Sequence, residues 1–235
     1  MRLLLLGYGK MGKIIDAIAQ RRGHTIVGRI DIDNRHELDG IEADVAIEFS
    51  QPEGAYENVK FCIEHNIPVV CGTTGWLEKK AELEKLTEDR NATFFYASNY
   101  SVGVNIFFKL SEYLAKMAST YEKFEVSIDE IHHTEKKDAP SGTAITLAQG
   151  IMKHFKEKKR WVNEETSDPE ELEIHSFRID QVPGTHTVKY SSMIDSLEIR
   201  HVAHSREGFA RGAVMVAEWV KDKKGVLSME DFLQL

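Results

Sequence analysis

The chain has 235 residues, with 30 Lys and Arg against 38 Asp and Glu, which gives a formal net charge of −8. This acidic balance argues against nucleic acid or an anionic membrane as the main partner. No apolar run approaches the ~20 residues needed to cross a bilayer. The two cysteines, Cys62 and Cys71, lack the spacing of metal ligands. We therefore expect a cytoplasmic protein without a metal site, folded as one large or two modest domains.

The start of the chain predicts a strand, a glycine turn, a helix and a second strand. A leucine run leads into Gly7, Gly9 and Gly12, which complete G-x-G-x-x-G. In dinucleotide-binding proteins the first glycine permits a tight turn, the second lets backbone approach a pyrophosphate, and the third allows close helix packing. Asp31 ends the second strand, where a carboxylate accepts hydrogen bonds from an adenosine ribose. A βαβ unit without nucleotide is the alternative, and the complete pattern favours a dinucleotide site. The predicted cofactor-binding residues in this region are Gly7, Tyr8, Gly9, Lys10, Met11, Gly12 and Asp31.

Strands and helices alternate strictly through the following residues. Predicted strands cover 43–49, 67–71 and 92–97, and predicted helices cover 52–65 and 77–90. Strict alternation indicates a doubly wound, Rossmann-type parallel sheet covered on both faces, with ligands at the carboxyl ends of its strands. The turn Gly72-Thr73-Thr74 would be an ordinary polar turn if it stood alone. At a strand end it becomes a candidate for contact with the nicotinamide. Further cofactor-binding residues are therefore expected after the third, fourth and fifth strands, at Ser50, Gly72, Thr73, Thr74, Ser98, Asn99, Tyr100 and Ser101.

The pattern changes after residue 101 to one helix followed by strands. A helix is predicted over 104–120, with a buried apolar stripe made of Ile106, Phe107, Leu110, Tyr113, Leu114 and Met117. Residues 124–131 alternate apolar and polar, as a strand with one solvated face does. The Lys- and Glu-rich stretch 157–171 is predicted to be a solvated connection. Three β-like runs follow, over 172–180, 185–194 and 197–204. This order indicates an α+β domain with an open mixed sheet. A last helix, over 208–221, is expected to pack back on the first domain.

The run 132–143 gathers the polar chemistry of this second half. His132 and His133 titrate near neutrality, and Lys136 is a cation that burial can turn into an acid. Ser141, Gly142 and Thr143 lead into a helical pattern, and a helix N-terminus suits an anion. These features predict a site for a small carboxylate or phosphate. Adjacent histidines on an extended segment point to opposite faces, so they do not bind one metal together. The residues alone leave open that the Ser-Gly-Thr turn is only a helix cap.

The motifs together resemble the 4-hydroxy-tetrahydrodipicolinate reductase (dihydrodipicolinate reductase) family. The matching segments are 7–12, 49–54, 72–75, 98–105 and 132–143. The resemblance implies transfer of hydride from NADH or NADPH to a small cyclic imine dicarboxylate in diaminopimelate and lysine biosynthesis. It also implies a discontinuous dinucleotide-binding domain at 1–99 and 205–235, and a substrate-binding domain at 100–204 whose open sheet builds a homotetramer.

The same resemblance assigns roles to the polar run. His132 would donate a proton or polarise the substrate, and Lys136 would be a second proton donor. His133 would contact the substrate, and Ser141, Gly142 and Thr143 would hold a carboxylate. The chain departs from the family pattern in its short connection at 33–43, in Gln51 and in Ser196. Two other function classes stay open: another nucleotide-dependent dehydrogenase of amino-acid metabolism, and a non-catalytic NAD-sensing module. The polar run argues against the sensor, which needs no acid at the nicotinamide.

Asp31 also bears on the choice of cofactor. A carboxylate at this position pairs with the ribose hydroxyls of NADH and repels the 2′-phosphate of NADPH. Arg29 and Arg35 are the candidate counter-charges, each expected to be able to swing toward a phosphate, with help from Lys10. The sequence therefore predicts a modest preference for NADH, with NADPH tolerated.

Overall fold

The computed structural model describes residues 1–121 and 123–234. The strands are β1 (Arg2–Leu6), β2 (Thr25–Ile30), β3 (Val45–Glu48), β4 (Val69–Cys71), β5 (Thr93–Tyr96), β6 (Glu125–His132), β7 (Arg160–Val162), β8 (Glu171–Arg178), β9 (Gly184–Ser191), β10 (Ser196–Ala203) and β11 (Gly225–Leu227). The helices are α1 (Lys10–Arg21), α2 (Pro52–Glu64), α3 (Lys80–Asp89), α4 (Val102–Tyr121), α5 (Gly142–Met152), α6 (Glu207–Val220) and α7 (Met229–Leu233), with 3-10 helices at Ile32–Leu38 and Leu77–Lys79. Two compact units are present: Met1–Val102 with Glu207–Leu235, and Gly103–Arg206.

The first unit is built on a six-stranded sheet in the order β11-β5-β4-β3-β1-β2, in which every pair is parallel. The leucines of β1 show that helices cover both faces of this sheet. Leu3 and Leu5 pack into one buried cluster with α1 and α6, whereas Leu4 and Leu6 pack into another with α2. A strand without a solvated face reads as a continuous apolar run. The predicted doubly wound fold is confirmed, and its strand order reverses between β1 and β3.

The sequence analysis did not predict two short elements at the end of the first unit, β11 and α7. The predicted last helix is confirmed as α6, which packs against α1, β3 and β4. The short strand β11 then pairs with β5 and extends the sheet by one strand. It contains three residues, so it carries no alternation from which a strand could be predicted. The five-residue helix α7 was missed for the same reason.

The second unit contains a five-stranded mixed sheet in the order β10-β9-β6-β8-β7. Strand β9 runs antiparallel to β10 and β6, whereas β8 runs parallel to β6 and β7. Side chains of α4 and α5 cover one face of this sheet and form a core with β6, β8 and β9. The predicted α+β class is confirmed. The stretch 157–171 is not simply a solvated connection, because it includes β7.

The predicted buried stripe of α4 is largely wrong. Ile106, Leu110, Tyr113 and Met117 are 44%, 55%, 61% and 39% exposed. The buried residues are Val104, Phe107, Ser111, Ala115 and Ala118, and the last three have small side chains. Small side chains let the helix backbone approach the sheet closely, and the large apolar side chains then project outward. Within the part of the chain that the structure describes, no helix is long and apolar enough to cross a membrane.

Candidate active site

The glycine turn after β1 has the geometry of a dinucleotide-binding loop. Gly7 has a φ of +94°, and a Cβ on it would lie 2.2 Å from the carbonyl oxygen of Phe49. A Cβ on Gly12 would lie 2.2 Å from the carbonyl oxygen of Gly7. Around a Cβ on Gly9 the described structure has no atom within 4 Å. Because Gly9 is the N-cap of α1, the helix N–H groups face this open space, where an anion is favoured. The residues present therefore fit a pyrophosphate.

A cavity of about 580 Å³ lies beside this turn at the ends of β1, β2 and β3. Its lining includes Asp31, Arg35, Ser50, Gln51 and Asn58. Asp31 is exposed and caps the following 3-10 helix, with its carboxylate accepting a hydrogen bond from the Ile32 N–H at 3.0 Å. The same carboxylate lies 3.4 Å from the Tyr8 nitrogen. Asp31 thus stands between the glycine turn and the cavity, where an adenosine ribose would be bound.

The two arginines near Asp31 differ in their freedom. Arg29 donates to Asp16 at 2.7 and 3.2 Å, and Asp16 also accepts the Tyr8 hydroxyl at 2.6 Å. Burial raises the pKa of Asp16, but the hydrogen bonds from Arg29 and Tyr8 outweigh it and lower the pKa. Arg29 is therefore held in an ion pair here, and its movement toward a phosphate stays a prediction. Arg35 donates to Asn58 and lines the cavity.

The loops after β3 and β4 also end near this edge of the sheet. Ser50 donates to the fully buried Glu48 and accepts from Asn58 at 3.2 Å. A Cβ on Gly72 would lie 2.2 Å from the Phe49 ring. The Thr73 hydroxyl is buried and has no hydrogen-bond partner among the described residues, so it is available to a ligand. Thr74 is exposed.

The remaining predicted cofactor residues lie in the glycine turn and after β5. Lys10 and Ser98 are exposed, and Met11 is half-buried. Asn99 accepts the Ser101 N–H at 2.9 Å. Tyr100 is buried, and its hydroxyl donates to the Cys71 carbonyl at 2.7 Å. The Tyr100 side chain therefore braces the sheet, and only the backbone of this residue remains available to a ligand.

In the second unit the polar run leaves the sheet at the end of β6. His132 is the last residue of β6 and is buried, whereas His133 is half-buried. Lys136 forms an ion pair with Asp138 at 2.8 and 2.9 Å, and its side chain is 22% exposed. Ser141 caps α5 by accepting the Ala144 N–H at 3.2 Å. The helix-cap interpretation is thus confirmed for Ser141. It leaves Gly142, which is exposed, and Thr143, which is half-buried, at the helix N-terminus.

A buried carboxylate that sequence reasoning missed joins these groups. Glu130 is fully buried on the same face of β6 as His132. Its oxygens accept the Ser141 N–H at 3.0 and 3.1 Å and the Arg178 guanidinium at 3.2 Å. His132 Nδ1 and His186 Nε2 each lie 3.6 Å from one of its oxygens. The alternation of β6 held one signal for this, because Glu130 is in phase with the core residues Val126 and Ile128.

Burial and neighbouring groups shift the pKa values of this cluster in opposite directions. Burial raises the pKa of Glu130, but its contacts with His186 and Ser141 hold the pKa well below the usual range, so the carboxyl is ionised. The pKa of His132 is lowered to about 4 in total, and burial is the largest cause. His186 is the second cause of this lowering, and the charge of Glu130 acts in the opposite direction. His132 is therefore neutral near neutral pH in the free protein.

Glu130, His132 and His186 present ligand atoms within 4.8 Å of one another. A cation among them would compete with Arg178, whose guanidinium already contacts Glu130. The arrangement suits an organic anion better, because Lys136 and the N-terminus of α5 supply positive potential beside an imidazole. Such a site can bind a carboxylate and exchange a proton with it.

Comparisons with known proteins identify the family to which this chain belongs. The family model described as dihydrodipicolinate reductase, N-terminus, matches residues 1–100, and the C-terminal model matches residues 103–233. A 4-hydroxy-tetrahydrodipicolinate reductase from Christiangramia forsetii is 50% identical over 99% of this chain and 98% of its own. One from Archaeoglobus fulgidus is 40% identical over 88% of this chain and 82% of its own.

The fold is also found among solved structures. A dipicolinate-bound dihydrodipicolinate reductase from Paenisporosarcina sp. TG-14 has a TM-score of 0.76 at 22% identity, with 99% of both chains covered. An aspartate dehydrogenase from Thermotoga maritima has a TM-score of 0.50 at 14% identity and covers 95% of this chain and 97% of its own. The solved structures share the architecture, and the family models with the curated relatives decide membership. This chain belongs to the dihydrodipicolinate reductase family.

Proposed function

We propose that this protein uses NAD(P)H to reduce 4-hydroxy-tetrahydrodipicolinate to tetrahydrodipicolinate in diaminopimelate and lysine biosynthesis. The observation that carries the proposal is the cluster at the end of β6, where His132 lies beside the charged Glu130 and the capped N-terminus of α5. The curated relative of 50% identity carries the name of this activity. We propose that 1–99 with 205–235 is the dinucleotide-binding domain and that 100–204 is the substrate-binding domain.

The cofactor would supply hydride when bound, and the residues of this chain would bind and orient it. The N–H groups at Gly9–Gly12 would hold the pyrophosphate, and Asp31 would accept the ribose hydroxyls. Ser50, Thr73 and the backbone after β5 would line the rest of the binding site. The buried Thr73 hydroxyl supports this proposal because it has no protein partner in the described structure.

The substrate would be held and protonated by the second unit. Backbone N–H groups of Gly142 and Thr143 at the start of α5 would bind one carboxylate, and Lys136 and His133 would contact the molecule as well. Ser141 supports this cradle through its cap, since its hydroxyl already accepts from Ala144. The 4-hydroxyl of the substrate leaves as water, and His132 would donate the proton that the reduced ring takes up, with Lys136 as a second donor.

We propose NADH as the favoured cofactor and NADPH as a tolerated one. Because Asp31 is exposed, solvent screens its repulsion of a 2′-phosphate to about 1 kcal/mol, and a mobile surface arginine returns only a fraction of that. Arg29 is committed to Asp16, which leaves Arg35 as the arginine of the cavity lining that can offset the repulsion. A kcat/KM clearly higher with NADPH would contradict this preference.

A cytoplasmic homotetramer without nucleic-acid or membrane partners, and without a metal requirement, completes the proposal. Exposed apolar residues on the sheet support self-association: Phe177, Leu197 and Val202 are 48%, 42% and 42% exposed. An open sheet with such residues is protected when another copy covers it. Light scattering at micromolar concentration that gives 26.7 kDa, the monomer mass, would contradict it.

One assay separates the candidate functions. Purified protein is mixed with NADH or NADPH and with three substrates in turn: the freshly generated pathway imine, an oxo acid with ammonia, and an amino-acid semialdehyde. Loss of reduced cofactor with the imine alone supports the proposal. Turnover with either other substrate alone would indicate a different dehydrogenase. Cofactor binding without turnover on any substrate would indicate a sensor. Unchanged activity after EDTA treatment is expected in the same assay.

A further inference from the structure

We propose that Glu130 is a positioning residue: it fixes His132 in the Nδ1–H tautomer, stabilises the protonated imidazole, and ties that imidazole to the N-terminus of α5. The proposal rests on the proposed reduction and names the group that makes its proton donor work. Glu130 touches no substrate, so its effect is transmitted through His132 and Ser141.

The orientation of the His132 ring supports this role. Nδ1 is buried, lacks a hydrogen-bond partner in the described residues, and lies 3.6 Å from a Glu130 oxygen. The opposite ring nitrogen, Nε2, lies beside Gly184, where a Cβ would be only 3.1 Å away. The negative charge of Glu130, 3.6 Å from Nδ1, electrostatically favours a proton on that nitrogen and leaves Nε2 for the substrate. Nε2 is therefore the reactive nitrogen, and Gly184 leaves room for it.

The second function of Glu130 is to place the carboxylate cradle. Both of its oxygens accept the N–H of Ser141, the residue that caps α5. Arg178 contacts the same carboxylate and also donates to the carbonyl oxygens of Asp138 and Lys136 at 2.5 and 3.4 Å. One buried charge thus connects the imidazole, the helix N-terminus and the loop that carries Lys136. These are the three parts that would surround a dicarboxylate.

The charge of Glu130 matters because without it an even smaller fraction of His132 would be protonated near neutral pH. The charged and titratable groups facing the imidazole are Glu130 on β6, His186 on β9, Arg178 on β8 and Lys136 in the loop. Burial, His186, Lys136 and Arg178 all lower the pKa of His132, and Glu130 alone raises it. A bound dianion adds negative charge and raises the pKa further. During turnover the proton leaves Nε2 of the imidazolium for the substrate ring, and His132 returns to the neutral Nδ1–H form.

The first test compares Glu130→Gln with Asp129→Asn. Asp129 is the neighbouring residue on β6, faces the other side of the sheet, and is ion-paired with Lys189 and His175. We expect Glu130→Gln to lower kcat near neutral pH by about tenfold to a hundredfold and to shift the falling basic limb of the kcat profile down by about one to three pH units. In Asp129→Asn the basic limb of the kcat profile should stay at its wild-type pH. NADH affinity should be unchanged in both, because that site belongs to the other unit.

An unchanged kcat profile in folded Glu130→Gln would overturn the proposal while leaving the proposed function intact. Loss of turnover in both the wild-type protein and the variant would instead contradict the proposed function. Glu130→Asp keeps the charge, so it should restore the limb toward its wild-type position. A structural role of Glu130 alone would lower stability without shifting this limb.

A second measurement uses the wild-type protein and does not depend on any Glu130 variant folding. Solid-state NMR of protein labelled with ¹⁵N-histidine distinguishes protonated from unprotonated ring nitrogens, and His132 is assigned from the signal lost in His132→Asn. Near neutral pH we expect a protonated Nδ1 and an unprotonated Nε2. The opposite tautomer would overturn the proposal.

Discussion

The two units build their candidate sites from different parts of the chain. In the first unit the site consists mainly of backbone: glycines that no side chain could replace, free helix N–H groups and short loops at strand ends. In the second unit it consists of ionisable side chains on a buried sheet face, centred on Glu130. A backbone site is encoded locally, by a motif. A side-chain site depends on strand register, and its properties depend on charges that neighbouring strands bring together.

The comparison predicts that a steric change will do the most damage in the first unit. In Gly12→Ala the new Cβ would lie 2.2 Å from a backbone oxygen that cannot rotate away. We expect a loss of about 3 kcal/mol in the free energy of unfolding together with loss of NADH binding, measured by urea denaturation and fluorescence titration. Gly9→Ala is the matched control, because its Cβ meets open space. It should keep wild-type stability and weaken only NADH binding. Equal stability of both variants would contradict the backbone interpretation.

Charge and proton transfer should dominate in the second unit. We expect His132→Ala and Lys136→Ala each to lower kcat by about tenfold to a hundredfold, because each removes a proposed proton donor. The control is Lys137→Ala, whose exposed side chain lies next to Lys136 in the same loop. Steady-state kinetics with the pathway imine measure the effect. Near-normal turnover in both variants would remove these residues from the proposed mechanism, whereas a similar loss in Lys137→Ala would indicate only general damage to the loop.

The same difference explains how much the sequence could predict. The glycine turn, the alternation of strands and helices and the cap at Ser141 are local features, and the structure confirms them. The partners of His132 were not found. His186 meets Ser141 across 45 positions, and Arg178 meets Glu130 across 48. Only the pairing of β6 with β8 and β9 brings them together. No pattern within a single strand contains that pairing.

The errors in the helices have a different origin. In α4 the large apolar residues were expected inside, yet the helix packs through Ala115, Ala118 and Ser111. Apolar residues are buried only where other elements of the chain pack over them. In this unit no other element covers the outer face of α4 in the described structure. The ion-pair partner of Arg29 was also not found from the sequence. Asp16, thirteen positions away on α1, holds it in an ion pair.

The pH dependence of folding should report the side-chain site. The pKa of His132 is about 4 in the folded protein against an ordinary 6.5. Between these values the unfolded chain binds a proton that the folded protein does not, so stability falls as the pH is lowered through this window. We expect His132 to account for a loss of about 3 kcal/mol, measured by urea denaturation near pH 7 and near pH 4.

His132→Asn should flatten this dependence and thereby isolate the contribution of one residue. The comparison with the variant is needed because burial also lowers the pKa of His201, which adds to the same slope. The Glu130 carboxyl, whose pKa is depressed from an ordinary 4.5, begins to lose its stabilising effect at the acid end of this window and loses most of it below the window. A slope identical in wild type and variant would show that His132 is not buried in its neutral form.

The smallest expected effect is on cofactor choice in the first unit, where one side chain does modify a backbone site. Asp31 both caps the 3-10 helix and faces the cavity, so Asp31→Ser removes the charge while keeping an oxygen for the cap. We expect the ratio of kcat/KM for NADPH to that for NADH to rise by about fivefold to tenfold, because loss of a solvent-screened repulsion is worth about 1 kcal/mol. Arg35→Ala should change the ratio in the opposite direction, since it removes the arginine of the cavity lining. Asp33→Ser, an exposed acid two residues further on, should leave the ratio unchanged. If Asp31→Ser and Asp33→Ser behave alike, the preference does not come from Asp31, and the site would choose its cofactor through the backbone alone.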